Sequence, residues 1–185
     1  MDIDTAGACR FLSASELERM ARYIQHADRV RFGLARSILR ELLGERLACD
    51  PAQIEFAAGE YGRPALAAHP EMSFNVSHSG ERLLIALSMA RTVGVDIEVV
   101  NPLLDWRSLI DIVCAPEEAH HILTVRDFYR CWTAKEALLK ATGVGIGEGL
   151  KSIDLANARV PPTLDFTWLE ELDGYAAALA FGHLR

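Results

Sequence analysis

The sequence predicts an α+β protein built from two similar halves. Blocks of helical apolar spacing and blocks of strand-like alternation follow one another in the order helix, strands, helices, strands. At 185 residues the chain suits one domain of ordinary size or two small halves that share a core. Half its residues are hydrophobic and 24% are charged, as in a globular chain.

The first helical block is SASELERMARYIQHADRVRFGLARSILRELLGERL, read as one or two helices. Ser13 and Glu16 have capping-box spacing, and Gly44 is the expected stop. Asp50-Pro51 restarts the chain. QIEFAAGEYGRPAL then reads as a strand, a turn and an extended piece before Pro64. MSFNVSHS and RLLIALSMA flank Gly80-Glu81 as hairpin arms, and VGVDIEVV follows as a strand. After Asn101-Pro102, LLDWRSLIDIVCAPEEAHHIL and DFYRCWTAKEALLKATG have helical spacing. Gly143, Gly145, Gly147 and Gly149 form a loop that follows a helix rather than opening one, so it is no phosphate cradle. KSIDLANAR, TLDFTWLEEL and GYAAALAFG return to strands. The seam between the halves is expected near residues 90–100, dividing the chain into residues 1–92 and 93–185.

A net charge of −7 argues against nucleic-acid binding as the main task. No N-terminal segment pairs a basic head with an apolar core, and no apolar run approaches the ~20 residues of a membrane span. Cys9, Cys49, Cys114 and Cys131 are scattered without CxxC spacing, so they read as reduced thiols of a cytoplasmic protein rather than a zinc site or disulfide framework. Of 19 basic residues only three are Lys, all between Lys135 and Lys151. That points to sites that need a compact ammonium.

The sharpest chemical signal is Asp96 and Glu98, two residues apart in an otherwise apolar strand. They share a face, repel each other and cost free energy to desolvate, so an Arg or Lys cluster, a metal ion or solvent should sit between them. Removing Asp96 should relieve strain in the metal-free protein. Three more groups join the pair. FNVSHSG sets Ser77, His78 and Ser79 after a short strand. WTAKEALLK puts Glu136 and Lys140 one helical turn apart, a spacing that also suits an ordinary helix-stabilising pair. The Arg-rich first helix and Arg63 in YGRP complete the set. Three carboxylates leave room for phosphate oxygens and water on an octahedral Mg²⁺, with Lys140, His78 and Arg side chains to hold phosphates. Such a constellation suits chemistry at a pyrophosphate.

FNVSHSG, GVDIE and WTAKEALLK, in that order and at these separations, resemble the 4′-phosphopantetheinyl transferases of the pseudo-dimeric, surfactin-synthetase-activating type. The resemblance implies two α+β halves forming a pseudo-dimer around a central cleft. There coenzyme A would give its 4′-phosphopantetheine arm to a serine of an acyl or peptidyl carrier protein, leaving 3′,5′-adenosine bisphosphate. It assigns Asp96, Glu98 and Glu136 as Mg²⁺ ligands, Glu136 also as the base, and Lys140 as the pyrophosphate cation. Ser77, His78 and Arg63 match positions on the coenzyme phosphates, and Arg31, Arg36 and Ser37 match the nucleotide-contacting helix. Lys135 is expected to support rather than react. The family's further acid corresponds to Glu117 or Glu118, with Glu117 preferred. Leu103, Leu104 and Trp106 are either an anchor for the carrier helix or core. A monomer is expected, since both halves lie in one chain. The competing functions are a metal-dependent phosphodiesterase and a non-catalytic module that binds carrier proteins.

Overall fold

The computed structural model describes residues 7, 9–59, 63–143 and 149–184. By compactness the chain divides into two units, Met1–Phe56 and Ala57–Arg185. Helices and small antiparallel sheets make it α+β, as the sequence predicts.

The first unit holds helices α1 (Ala14–Ala21) and α2 (His26–Leu47) and a 3₁₀ turn, Pro51–Gln53. The Ser13–Glu16 box forms: Ser13 N–H donates to the Glu16 carboxylate at 2.8 Å, and Glu16 N–H donates to Ser13 Oγ at 3.3 Å. Gly44 does not stop α2, which runs on to Leu47 and is capped by Ala48 in the left-handed region. A Cβ on Gly44 would lie 2.8 Å from Pro51 Cγ, so this glycine serves the close approach of the turn. Glu16 also binds the basic helix from within. It takes Arg40 Nε at 3.0 Å and Arg36 Nε at 3.3 Å, while Arg40 Nη1 caps the carbonyls of Pro51 and Ile54. Much of the positive charge read on this helix is therefore structural.

In the second unit a short strand β1 (Phe56–Ala58), where the units join, pairs with β2 (Pro64–Leu66). β3 (Ser73–Ser79) and β4 (Arg82–Ser88) form the expected hairpin, with Ser79 opposite Arg82 and Gly80 at φ 54°. A second sheet has the order β5 (Val93–Val99), β7 (Tyr175–Gly182), β6 (Leu164–Trp168), all antiparallel. Helix α5 (Val125–Thr142) packs on it through Ala134, Ala137, Leu138 and Ala141 against Ala178 and Ala180. Small residues on both sides bring helix and sheet close. The limit is reached at Gly94, where a Cβ would lie 2.2 Å from Ala137 O and 2.4 Å from Ala141 N. Asp96 and Glu98 follow on the same face at two-residue spacing, so the approach that Gly94 permits delivers both acids to α5.

The edge of β5 away from β7 meets β3 through side chains. Val93, Val95, Ile97 and Val99 donate their N–H groups to Ser73 Oγ, Asn75 Oδ1, Ser77 Oγ and Ser79 Oγ at 3.0, 2.9, 3.3 and 3.1 Å. Partners advance together, so β3 and β5 run parallel, joined by side-chain oxygens where backbone carbonyls would normally serve. The small polar residues that alternate through SFNVSHS are this ladder.

Two further expectations need correction, and one open alternative is decided. LLDWRSLIDIVCAPEEAHHIL is broken into a 3₁₀ turn, Trp106–Leu109, and single helical turns α3 (Ile110–Val113) and α4 (Pro116–Ala119). The Ala115-Pro116 step favours extended backbone, and Cys114 and Ala115 adopt it. KSIDLANAR is no strand: it holds a 3₁₀ turn and one isolated bridge, Asp154 to Arg159. Trp106 is core, packed with Val113, Ile122, Phe128 and Cys131, with Leu104 partly buried beside it and Leu103 exposed. Of the glycine loop, residues 144–148 lie outside the described residues, and Gly143 caps α5 at φ 77°.

Gly94→Ala should cost about 3 kcal/mol or more, because the added methyl meets helix backbone that no rotamer change can move. Urea unfolding measures it, and a loss below about 0.5 kcal/mol would contradict the close approach.

Candidate active site

The face shared by β5 and α5 gathers the predicted chemistry. Lys140 Nζ lies 2.5 Å from Asp96 Oδ1, 3.2 Å from Ser77 Oγ and 3.9 Å from Glu136 Oε2. Each acid of β5 is also held by a serine of β3: Ser77 donates to Asp96 and Ser79 to Glu98, both at 2.8 Å. Trp132, one turn before Glu136, donates its indole N–H to Glu136 Oε1 at 3.0 Å. Sequence reading located the acids, Lys140 and Ser77, but not Ser79 or Trp132 as site residues and not the bond from Ser77 to Asp96. The alternation of Ser77 and Ser79 and the i,i+4 spacing of Trp132 and Glu136 were the available signals.

The charge is unevenly balanced. Asp96 is buried and paired with Lys140, so removing it would strand an ammonium rather than relieve strain. The strain falls on its neighbours. Burial pushes Glu136 above the ordinary carboxylate range, reinforced by Asp96 and opposed by Lys140 and the indole bond. Burial likewise raises Glu98, opposed by the Ser79 hydrogen bond and reinforced by Asp96.

An all-oxygen donor set suits a hard cation such as Mg²⁺. Asp96 Oδ2 fits that use, being buried and without a hydrogen-bond partner. Asp96, Glu98 and Glu136 do not all bring a ligand oxygen within 4.8 Å of one another. Among the described residues, the only trio with ligand atoms all within 4.8 Å is Cys114, Glu118 and Cys131. That trio already has its cation. Lys135 is fully buried, and its Nζ donates to Glu118 Oε2 at 2.5 Å, Val113 O at 2.8 Å and Leu150 O at 3.0 Å, which uses all three ammonium protons. Glu118 further accepts the N–H groups of Ala115 and Leu155. Of the two candidate acids, then, Glu118 is the buried one and Glu117 is exposed. The cysteines are free thiols, but scattering in sequence hid the meeting of Cys114 and Cys131, whose sulfurs are 3.9 Å apart.

The other predicted residues are more dispersed. Arg63 reaches five acceptors: the carbonyls of Lys140, Ala141, Phe74 and Val93, and Ser73 Oγ. It thereby ties the start of β2 to the end of α5. Beside it a cavity of about 740 Å³ is lined by Ser73, Phe74, Thr92, Thr142 and His183 among others. His78 is exposed on the face of β3 opposite Ser77. In the first unit Arg31 pairs with Asp28 at 2.6 Å, Arg36 stacks on Phe56 with its Cζ 4.3 Å from the ring centre, and Ser37 is buried.

Two family models match the chain. The one described as the 4′-phosphopantetheinyl transferase superfamily covers residues 92–180, and the one described as 4′-phosphopantetheinyl transferase, N-terminal, covers residues 2–90. A Synechocystis protein carrying a 4′-phosphopantetheinyl transferase name is 39% identical over 150 residues, 77% of this chain and 61% of its own. The 4′-phosphopantetheinyl transferase HetI of Nostoc is 37% identical over 160 residues, covering 82% and 67%. A Bacillus subtilis 4′-phosphopantetheinyl transferase is 32% identical over 153 residues, covering 78% and 66%. The chain thus spans about two thirds or less of the length of these relatives.

Two expectations follow from the charges. Lys135→Met should destabilise the fold by about 3–5 kcal/mol, since it leaves Glu118 buried and unpaired; urea unfolding showing under 1 kcal/mol would remove the buried pair from the account. The second concerns pH. A carboxyl raised in the folded state keeps its proton longer than in the unfolded chain, so its contribution is most favourable at acid pH and is lost as pH rises through the raised value. Without divalent cation, Glu136→Gln should therefore melt higher than the parent at pH 7, with the difference vanishing below about pH 4. A parent more stable than the variant at pH 7 would show that Glu136 is not strained.

Proposed function

The chain belongs to the 4′-phosphopantetheinyl transferase superfamily, and we propose that it transfers the phosphopantetheine arm of coenzyme A to a serine of an acyl or peptidyl carrier protein. The observation behind this reading is the contact of Lys140 with Asp96 at 2.5 Å, one turn from Glu136, which unites two motifs at one point. In the proposed reaction the serine oxygen forms a bond to the β-phosphorus of coenzyme A as the bridging P–O bond breaks, releasing 3′,5′-adenosine bisphosphate. Glu136 takes the serine proton, a role helped by the burial that strengthens it as a base. Lys140 turns from Asp96 to the phosphate as negative charge grows on the leaving group. Asp96, Glu98 and Glu136 would hold Mg²⁺, which when bound offsets the charge of the pyrophosphate.

The proposed coenzyme contacts are Arg31, Arg36, Ser37, Ser77 and His78, with Arg63 acting through the end of α5 that it anchors. The cavity beside Arg63 is of a size to take part of a nucleotide. Activity as a monomer in the cytoplasm completes the reading, in keeping with free thiols and with no helix among the described residues long and apolar enough to cross a membrane.

The test is incubation with coenzyme A, Mg²⁺ and a panel of apo-carriers, read by intact mass for one added arm. Glu136→Gln should slow transfer on the order of a hundredfold or more. Lys140→Ala should slow it without raising the Mg²⁺ requirement, and Lys140→Arg should restore only part, because a planar fork replaces a compact ammonium. Full rates in both Glu136→Gln and Lys140→Ala would reduce the pair to helix stabilisation and end the proposal.

A further inference from the structure

Two successive units of the β3–β5 ladder share a bonding pattern, to which Lys140 adds a donation to Ser77 Oγ at 3.2 Å. Ser77 Oγ accepts the N–H of Ile97 and donates to Asp96, and Ser79 Oγ accepts the N–H of Val99 and donates to Glu98. A serine hydroxyl has one proton to give. The N–H that each oxygen accepts fixes where the oxygen sits, and the proton then goes to the carboxylate one residue earlier on β5. The carboxylates differ in their other partners. Asp96 is also held by Lys140 at 2.5 Å, whereas Ser79 is the hydrogen-bond partner given to the Glu98 side chain among the described residues. Glu98 is longer, has one more rotatable bond, lies half-buried near the strand end and is repelled by Asp96. Left unheld, it would swing toward solvent.

From this geometry we infer that Ser79 is a positioning residue, holding the Glu98 carboxylate beside Asp96 so that the two can bind one divalent cation. The inference rests on the cation site of the transfer reading and extends it to a residue outside the proposed coenzyme contacts. Partners that orient ligating carboxylates typically affect metal affinity 10–100-fold when lost.

Mn²⁺ binding to the substrate-free protein, followed by electron paramagnetic resonance, tests this without any turnover. Ser79→Ala should weaken Mn²⁺ about tenfold, and Ser79→Thr, which keeps the hydroxyl, should return to within about threefold of the parent, given that each variant gives the parent's circular dichroism. On a Glu98→Ala background, Ser79→Ala should add nothing further. In the transfer assay Ser79→Ala should raise the Mg²⁺ requirement by the same factor and leave KM for coenzyme A unchanged. Parent-like Mn²⁺ binding by Ser79→Ala, loss in Ser79→Thr equal to that in Ser79→Ala, or no Mn²⁺ binding by the parent would each overturn the inference. Weakened Mn²⁺ binding with no carrier modified by the parent would instead uphold Ser79 and sink the transfer reading.

Discussion

The second unit depends on how one strand edge is satisfied. β5 pairs with β7 on one side and needs acceptors for four N–H groups on the other. An unpaired edge would leave buried donors unmet or invite another strand. Ser73, Asn75, Ser77 and Ser79 supply side-chain oxygens instead. A hydroxyl can accept and donate at once, which a backbone carbonyl cannot. The two serines nearest the acids use that spare proton to bind Asp96 and Glu98. The device that closes the edge thus also sets the direction of the carboxylates.

Helix α5 packs on the face of the same strand that carries the acids, and its two neighbouring lysines show how burial divides labour. Lys135 has no exposure and three oxygen acceptors, one of them a carboxylate, so its charge is spent on holding α5 to Val113, Glu118 and Leu150. Lys140, five residues on, keeps 19% of its side chain exposed and has one short contact, to Asp96. An ammonium so placed can exchange one anion for another; a fully enclosed one cannot. Composition hinted at both uses by keeping Lys where the rest of the chain prefers Arg.

Local pattern made most of this legible, and the failures have local causes too. The Ser13–Glu16 cap, the Gly80 turn and α5 follow from short-range chemistry and appear where the sequence puts them. Gly44 misled because a glycine that ends a helix and one that admits a neighbouring turn look alike in sequence. KSIDLANAR misled because alternation without a partner strand makes no sheet. At the site, Asp96, Glu98, Glu136 and Lys140 could be found by their spacing. The bond from Trp132 was within reach of helical spacing, whereas the bond from Ser79 and the closure of Glu118 on Lys135 join residues whose relation only the fold sets, as does the meeting of Cys114 and Cys131.

The arrangement also explains why the acids are tolerated before anything binds. Three carboxylates near one another would ordinarily take up protons or push the strand apart. Here Lys140 neutralises the most buried of them, the serines give each β5 acid a hydrogen bond, and the remaining imbalance is left on Glu98 and Glu136 as raised proton affinity. That imbalance is removed by whatever brings positive charge to the face. A cation taking the free Oδ2 of Asp96 would at once relieve Glu98 and Glu136 and loosen the hold of Asp96 on Lys140. On the proposed reading, ion binding would favour release of the lysine toward an incoming phosphate, with the ladder keeping the carboxylates in place.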